Sequence, residues 1–234
     1  MRIQDQPAYI LHHRAFRDTS QILEVITRDH GRFSIMSRGS KGAKSRLKSV
    51  LQPFKPLLIG WSGKGDMPTL TGAETQSVKP FTLTGKALPS AFYVNELIIK
   101  LLHKHDVHEG IFQLYESIIR LLADKNEVEP VLRLFEKQLL EDLGFGLNLS
   151  VNAETGDSIL ADEEYAYYLE HGPVNLSSVK DESYILKLTG KSLLDLDSSS
   201  LDTEQSLRDA KRLMRSILHY YLEGKPIKSR ELFR

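Results

Sequence analysis

The chain has 234 residues, of which 41% are hydrophobic, and it carries 31 basic side chains, 31 acidic side chains and no cysteine. This length allows one large or two small globular domains. The lack of cysteine excludes a disulfide framework, a thiol nucleophile and cysteine-ligated zinc. Because no apolar run has the length of a membrane span and the N-terminus lacks the apolar core of a signal peptide, we expect a cytoplasmic protein.

The balanced net charge hides a strong segregation along the chain. Residues 1–80 carry a net charge of +7, residues 81–200 carry −10, and residues 205–234 carry +5. A basic N-terminal part next to an acidic body indicates one region that faces a polyanion.

The first third of the chain has the pattern of short strands. Alternating apolar residues, turn residues and prolines predict five strands, at 9–11, 20–28, 32–37, 53–61 and 67–74. The turn at 29–31 predicts a tight hairpin in which Gly31 takes a positive φ. Five short strands with a long connection between the third and the fourth are typical of an OB-fold β-barrel, which we assign to residues 1–79.

Around residue 80 the apolar period changes from two to 3.6, which predicts a mainly α-helical C-terminal domain over 80–234 and an α+β chain. Helices are predicted at 90–102, 110–122, 130–143 and 205–222. The part near 147–200 is less regular, with one strand-like segment at 163–169.

A basic stretch from Arg28 to Lys48, which includes the connection between the third and fourth predicted strands, is the clearest candidate site. Its cations are separated by glycines and serines, and Asp29 is the only acid among them. Such a loop can bind the phosphates of a polyanion without selecting one sequence, whereas the alternative is a solvated loop on an ordinary domain. The candidate contact residues are Arg32, Arg38, Lys41, Lys44, Arg46 and Lys48.

Other chemistry fits the sequence poorly. Segment 39–45 is rich in glycine, but a P-loop requires four residues between its glycines and a Gly-Lys pair. A possible metal cluster falls where one helix should end and the next begin, which favours a polar loop; its members are His103, His105, His108, Asp106 and Glu109. No nucleophile elbow and no separated carboxylate pair occur, so we predict neither an enzyme nor a cofactor.

Short motifs occur in a specific order along nearly the whole chain. They are RDTS at 17–20, TRDHGR at 27–32, RGSK at 38–41, LQPFKPLL at 51–58, LTGAE at 70–74, YVNEL at 93–97, LGFGL at 143–147 and GKPIKSRELF at 224–233. Each motif is weak alone, but the ordered set resembles RecO, a family of bacterial recombinational-repair mediators, and is most similar to its γ-proteobacterial members.

The resemblance implies an N-terminal OB-fold and a helical C-terminal domain. It also implies binding to single- and double-stranded DNA, annealing of complementary strands, and association with the nucleoid. With RecR, such a protein loads RecA onto DNA coated by single-stranded DNA-binding protein, whose acidic C-terminal tail it contacts. Many family members carry a four-cysteine zinc site after the LGYG-like segment, but the matching region 152–157 has no cysteine, so no zinc is expected. The rival hypothesis is a scaffold that binds protein tails only, without direct DNA contact.

An acidic tail that ends in an apolar residue requires an apolar pocket with a cation at the carboxylate. Two predicted helices offer basic faces, and the candidates are Arg133, Lys137, Arg208, Lys211, Arg212 and Arg215. We favour Arg133 because its apolar neighbours could form the pocket wall. The alternative is that Arg133 only pairs with Glu129 or Glu136 on its own helix.

Overall fold

A computed structural model describes residues 2–42, 45–77, 81–124, 127–179 and 183–233. The chain forms two compact units. The first comprises Met1–Asn126 together with Ile227–Arg234, and the second comprises Glu127–Pro226. Each unit has its own core, and the prediction of an α+β chain is confirmed.

Five strands form the N-terminal sheet: β1 (Arg2–Phe16), β2 (Ser20–Thr27), β3 (Gly31–Ser37), β4 (Leu57–Ser62) and β5 (Thr69–Thr75). Neighbouring strands pair antiparallel, except that β3 and β5 meet in parallel at Met36 and Thr69. That contact closes the sheet into a barrel with the order β1-β2-β3-β5-β4. The five expected strands are therefore present, although β1 is much longer than residues 9–11.

The barrel interior is apolar and is closed from one side by a short helix that the sequence did not predict. The buried core residues include Ile10, Leu23, Val25, Phe33, Ile35, Leu57, Ile59 and Trp61. Helix α1 (Leu47–Val50) packs Leu47 and Val50 against this core, and the adjacent Leu51 is fully buried. A four-residue helix inside a basic segment is too short to give a clear 3.6-residue period.

The hairpin between β2 and β3 shows why its glycine is required. Gly31 has φ of 63°, and a Cβ at this position would lie 2.2 Å from the carbonyl oxygen of Asp106. The expected positive φ is confirmed, and the small residue also permits the loop after Leu102 to lie directly against the hairpin.

Two helices follow the barrel in the first unit, α2 (Ala87–Leu101), which packs on β1, and α3 (Glu109–Asp124), whose aromatic rings meet Tyr9 of β1. The buried amide of Asn95 donates to the Leu11 carbonyl at 2.7 Å and accepts from the Tyr115 hydroxyl at 2.9 Å. This relay ties both helices to β1, so the compact unit continues past the change of periodicity near residue 80. The division into domains at residues 79 and 80 stays a prediction.

The end of the chain returns to the first unit. Residues Lys228–Phe233 form a short 3₁₀ segment, and the Glu96 carboxylate accepts the backbone N–H groups of Lys228 at 2.9 Å and Ser229 at 2.7 Å. The guanidinium of Arg230 lies 5.8 Å from the ring centroid of Tyr93. One carboxylate on α2 therefore holds the C-terminal segment in place.

The second unit combines helices with a small sheet. Its elements are α4 (Val128–Asp142), β6 (Glu164–Tyr168), β7 (Gly172–Asn175), β8 (Leu186–Thr189), α5 (Gly190–Asp197) and α6 (Glu204–Tyr221). The strands pair in the order β7-β6-β8. The predicted helical character and the strand at 163–169 are confirmed, while β7, β8 and α5 were missed because each is very short. Within the described residues, no helix is both long and apolar enough to cross a membrane.

Candidate nucleic-acid interface

The basic loop leaves the end of β3 in a defined conformation. Gly39 has φ of 66°, the Ser40 hydroxyl donates to the Ser37 carbonyl at 3.1 Å, and the Gly42 N–H donates to the Gly39 carbonyl at 3.2 Å. Ser40 is buried, so these bonds turn the chain while the neighbouring long side chains extend outward. The glycines and serines of the sequence therefore shape the loop and leave its cations to the surface.

Four candidate cations of this loop lie on the surface. Arg38, Lys41, Arg46 and Lys48 are all exposed. Within the described residues, no carboxylate lies at ion-pair distance from any of them. Lys44 lies outside the described residues. A group of exposed, unpaired cations on one connection produces a local positive potential that attracts an anion.

The hairpin that joins β1 to β2 extends this basic surface. The backbone N–H of Lys41 donates to the Thr19 carbonyl at 2.9 Å, so the basic loop is fixed to the hairpin turn. Arg14 and Arg17 are exposed there, and Phe16 is 36% exposed with the Arg17 guanidinium 5.4 Å from its ring centroid. An exposed aromatic ring beside an arginine offers a face on which a base can stack.

These three hairpin residues were not predicted from the sequence. The signal was present, because the run from His12 to Thr19 interrupts the apolar alternation of β1 with polar residues and a single Phe. Its register with β2, in which Arg14 lies opposite Ile22 and Phe16 opposite Ser20, extends the hairpin beyond the barrel core.

Arg32 is not part of this exposed surface. It is only 7% exposed, its Nε and Nη2 donate to the Leu102 carbonyl at 3.0 and 2.8 Å, and its Nη1 lies 3.1 Å from Glu24. Burial lowers the pKa of the Arg32 guanidinium, and Glu24 opposes this shift. Because all of these contacts are internal, we remove Arg32 from the proposed phosphate-binding set.

Candidate tail residues on α4 have partners within the second unit. Arg133 is only 6% exposed, and its Nη2 donates to Glu136 Oε1 at 2.7 Å. The pairing within one helix that the sequence left open as an alternative is therefore formed. Lys137 lies 3.8 Å from Glu141 and donates to the Asp197 carbonyl.

The basic face of α6 is largely neutralised. Its ion pairs join Arg208 to Glu204 at 2.8 Å, Lys211 to Glu129 at 2.6 Å and Arg212 to Asp209 at 3.5 Å. Arg215 is exposed, and within the described residues it forms no ion pair. The contact from Lys211 to Glu129 joins α6 to α4, so the two candidate faces are neighbours within one unit.

Comparison with known proteins identifies the family. The model for the N-terminal part of recombination protein O matches residues 1–78, and the model for its C-terminal part matches residues 83–231. The chain belongs to the RecO family. A DNA repair protein RecO from Nitrosococcus oceani is 44% identical over 99% of this chain and 93% of its own length. Those from Coxiella burnetii (strain RSA 331 / Henzerling II) and Dechloromonas aromatica are 41% and 40% identical and are also covered almost completely.

Residues 152–157, where the RecO resemblance would place cysteine ligands, form a turn that is held by hydrogen bonds. The Asn152 N–H donates to the Asp157 carbonyl at 2.8 Å, and the Asn152 side chain accepts the Glu154 N–H at 3.0 Å. The amide of Asn148 donates to the Val151 carbonyl at 2.8 Å. Buried Asn152 thus organises a turn through side-chain bonds to the backbone.

The histidine cluster between α2 and α3 is divided among different contacts. The His105 ring stacks on Phe33 with centroids 5.5 Å apart, and His108 lies 3.0 Å from Asp106. Among the residues that the structure describes, no group of three or more His, Asp or Glu side chains could hold a metal ion. That purified protein contains no stoichiometric zinc stays a prediction, which metal analysis after dialysis can test.

Proposed function

We propose that this RecO family member is a DNA-binding repair mediator and not an enzyme, and that its N-terminal barrel is an OB-fold that binds DNA. The observation that carries the proposal is the surface formed by the basic loop and the β1–β2 hairpin. There, four exposed cations without carboxylate partners are fixed beside the Arg17–Phe16 pair through the bond from Lys41 to Thr19.

The chemistry of this surface suits both forms of DNA. Lysine and arginine contacts to phosphate do not depend on base sequence and can form with both single and double strands. The Phe16 ring adds a stacking face that only an unpaired base can use, since every base has a π-face. A protein that binds complementary single strands without selecting a sequence can bring them together, which supports strand annealing.

The partners follow from the family and from the second unit. We propose that the protein acts with RecR to load RecA onto DNA coated by single-stranded DNA-binding protein, and that it works at the nucleoid. The coat protein's acidic tail would bind where α4 and α6 meet, with Arg133, Lys137 and the Arg208–Arg215 face as its candidate contacts. Support comes from the adjacency of these helices through Lys211 and Glu129, and from Arg215, which forms no ion pair among the described residues.

Filter binding of single-stranded DNA across a salt series tests the central proposal. Replacing Arg38 and Lys41 with alanine should weaken binding of all sequences alike and lower the magnitude of the log–log salt slope by about 1.4, or about 0.7 for each lost phosphate contact. The matched control replaces Lys86 and Lys228, which are exposed cations outside the loop, and should retain the parent slope.

If the Arg38 and Lys41 variant binds single strands as the parent does at moderate salt, the loop is only a solvated surface. Binding of an acidic tail peptide by a parent protein that does not bind DNA would instead support the scaffold hypothesis.

A further inference from the structure

A small cavity of about 310 Å³ opens in the first unit, beside the turn between β4 and β5. Its lining includes His30, Phe33, Trp61, Gly63, Lys64 and His105. This volume is at the lower end of the range for small-molecule pockets, so the cavity suits one compact planar group better than an extended ligand.

Four rings form a connected series in the lining. His30 meets Trp61 edge to face at 5.1 Å, Trp61 lies 5.0 Å from Phe33, and Phe33 stacks on His105 at 5.5 Å. Phe33 and Trp61 are buried core residues, whereas His105 is exposed and His30 is half-buried. Rigid rings at the base and more accessible imidazoles at the rim present aromatic surface to an entering ring.

The lining favours an anionic ligand. Lys64 lines the cavity, whereas no carboxylate does so among the described residues. Gly63 and Gly65 have φ of 124° and 87°, so the turn that carries Lys64 has a backbone shape that glycine adopts readily. An exposed lysine on such a turn can contact a phosphate next to the cavity.

The cavity lies close to the start of the basic loop. The Met36 N–H donates to the Pro68 carbonyl at 2.9 Å, which fixes one end of the β4–β5 turn to β3. Arg38 follows Met36 by two residues, and because an extended residue advances about 3.3 Å, the loop begins within roughly 7 Å of this contact. A single strand on the loop therefore has a short path to the cavity.

We propose that this cavity receives one unpaired nucleobase of a bound DNA strand, while Lys64 contacts a phosphate next to that base. The inference rests on the proposed DNA-binding function and adds a base subsite to it. The ring series favours a nucleobase over an acidic peptide, because stacking on aromatic side chains is a general means of holding unpaired bases and tolerates any sequence.

Trp61 makes the subsite directly observable, because it is the only tryptophan in the chain. The full-length protein is titrated with a short oligothymidylate and with an abasic oligonucleotide that has the same number of phosphates. We expect the oligothymidylate to quench Trp61 fluorescence and the abasic strand to leave it unchanged. The abasic strand should also bind about five-fold more weakly or worse, since it lacks base stacking both in the cavity and on Phe16.

Two variants separate the base from the phosphate. His105→Asn removes a rim ring and keeps a residue type that tolerates the φ of 61° at this position. It should weaken oligothymidylate binding about five-fold and leave abasic binding unchanged. Lys64→Ala should weaken both ligands and lower the salt slope by about 0.7, whereas the control Lys86→Ala should do neither. Thermal unfolding of each variant shows whether it remains folded.

Three results would overturn the proposal. If the oligothymidylate binds without changing Trp61 fluorescence, DNA binding stands but the cavity is not a base subsite. If an acidic peptide ending in phenylalanine quenches Trp61 while the oligonucleotide does not, the cavity is a peptide site. If the parent binds no oligonucleotide at all, the proposed DNA-binding function fails together with the subsite.

Discussion

The cations of the two compact units differ in what surrounds them. In the first unit, Arg38 and Lys41 are exposed and, among the described residues, have no carboxylate partner. In the second unit, Arg133 is buried against Glu136, and Lys211 is paired with Glu129. Both groups count equally in the net charge, yet only unpaired and exposed cations can offer their full charge to a polyanion. Counting charges along a sequence therefore locates basic segments, but the neighbouring carboxylates decide which of them can bind.

The largest expected effect concerns the buried pair. Arg133→Ala removes the cation from a Glu136 carboxylate that is fully buried, and breaking a buried pair in this way typically costs about 3–5 kcal/mol. We expect the free energy of unfolding, measured with urea, to fall by about this amount. The matched control, Arg215→Ala, removes an exposed cation and should change it by less than about 0.5 kcal/mol.

Tail binding by the same variant sharpens the comparison. At a urea-free condition in which Arg133→Ala is folded, calorimetry with a tail peptide should show an affinity loss of about tenfold or more if Arg133 also contacts the peptide carboxylate. Unchanged affinity in the folded variant would limit Arg133 to a stabilising role and move the tail site to the Arg208–Arg215 face or away from this unit.

Within the first unit, buried Arg32 can be compared with exposed Arg38. Arg32→Ala leaves the Leu102 carbonyl without two donors and Glu24 without its cation, so the free energy of unfolding should decrease by about 2–3 kcal/mol. The salt slope for single-stranded DNA should remain that of the parent, because the Arg32 side chain is buried and is not available to a phosphate. A slope reduced as much as in the Arg38 and Lys41 variant would restore Arg32 to the interface.

The position of Arg32 also shows where sequence analysis reaches its limit. In β3, Phe33 and Ile35 lie inside the barrel and their neighbours lie on the outer face, which is consistent with the alternating strand predicted at 32–37. That outer face is covered by the loop after α2, through hydrogen bonds between residues 70 positions apart, such as Arg32 to Leu102 and Lys104 to Ser34. Local periodicity carries no information about such distant contacts, so the strand was predicted but the burial of its arginine was not.

For the candidate site, too, the sequence predicted the position of the basic residues but not the contacts of the aromatic side chains. Runs of lysine and arginine were enough to locate the basic loop, and the spacing of Arg133 and Glu136 was enough to suggest their pairing. The exposed Phe16 and the series of rings from His30 to His105 were not predicted, because the first depends on the length of β1 and the second on contacts between separate turns.

A smaller loss of stability is expected on changing Glu96, whose carboxylate accepts hydrogen bonds from two backbone N–H groups. Although burial alone would raise the pKa of Glu96, hydrogen bonds from the N–H groups of Ser229 and Lys228 lower it overall. A carboxylate with a lowered folded pKa stabilises the protein above its unfolded pKa of about 4.3, and this contribution is lost as the pH falls through the folded value.

Glu96→Gln should therefore decrease the free energy of unfolding by about 1 kcal/mol near neutral pH, and the difference from the parent should shrink as the pH falls below about 4. Urea unfolding of both proteins across the pH range measures it, with Glu154→Gln as the control for an exposed carboxylate that forms no ion pair among the described residues. A difference that stays constant with pH would show that the charge of Glu96 does not hold the C-terminal segment.

The smallest expected effect concerns the ion pairs on the basic face of α6 and whether they weaken its binding of an acidic peptide. Lys211 and Glu129 are 43% and 47% exposed, so their ion pair should contribute only about 0.2–1 kcal/mol to stability. Glu129→Gln frees Lys211 and removes a negative charge from the junction of α4 and α6. An acidic tail peptide at this junction should then bind roughly two- to five-fold more tightly, because the pair no longer competes with the ligand. The gain should disappear at high salt, where exposed charges are screened.

Glu223→Gln frees Lys225 in the same unit and serves as the control, since Lys225 is not a candidate contact. Equal gains in both variants would indicate only a general change in net charge, and no gain in Glu129→Gln would place the tail away from α6.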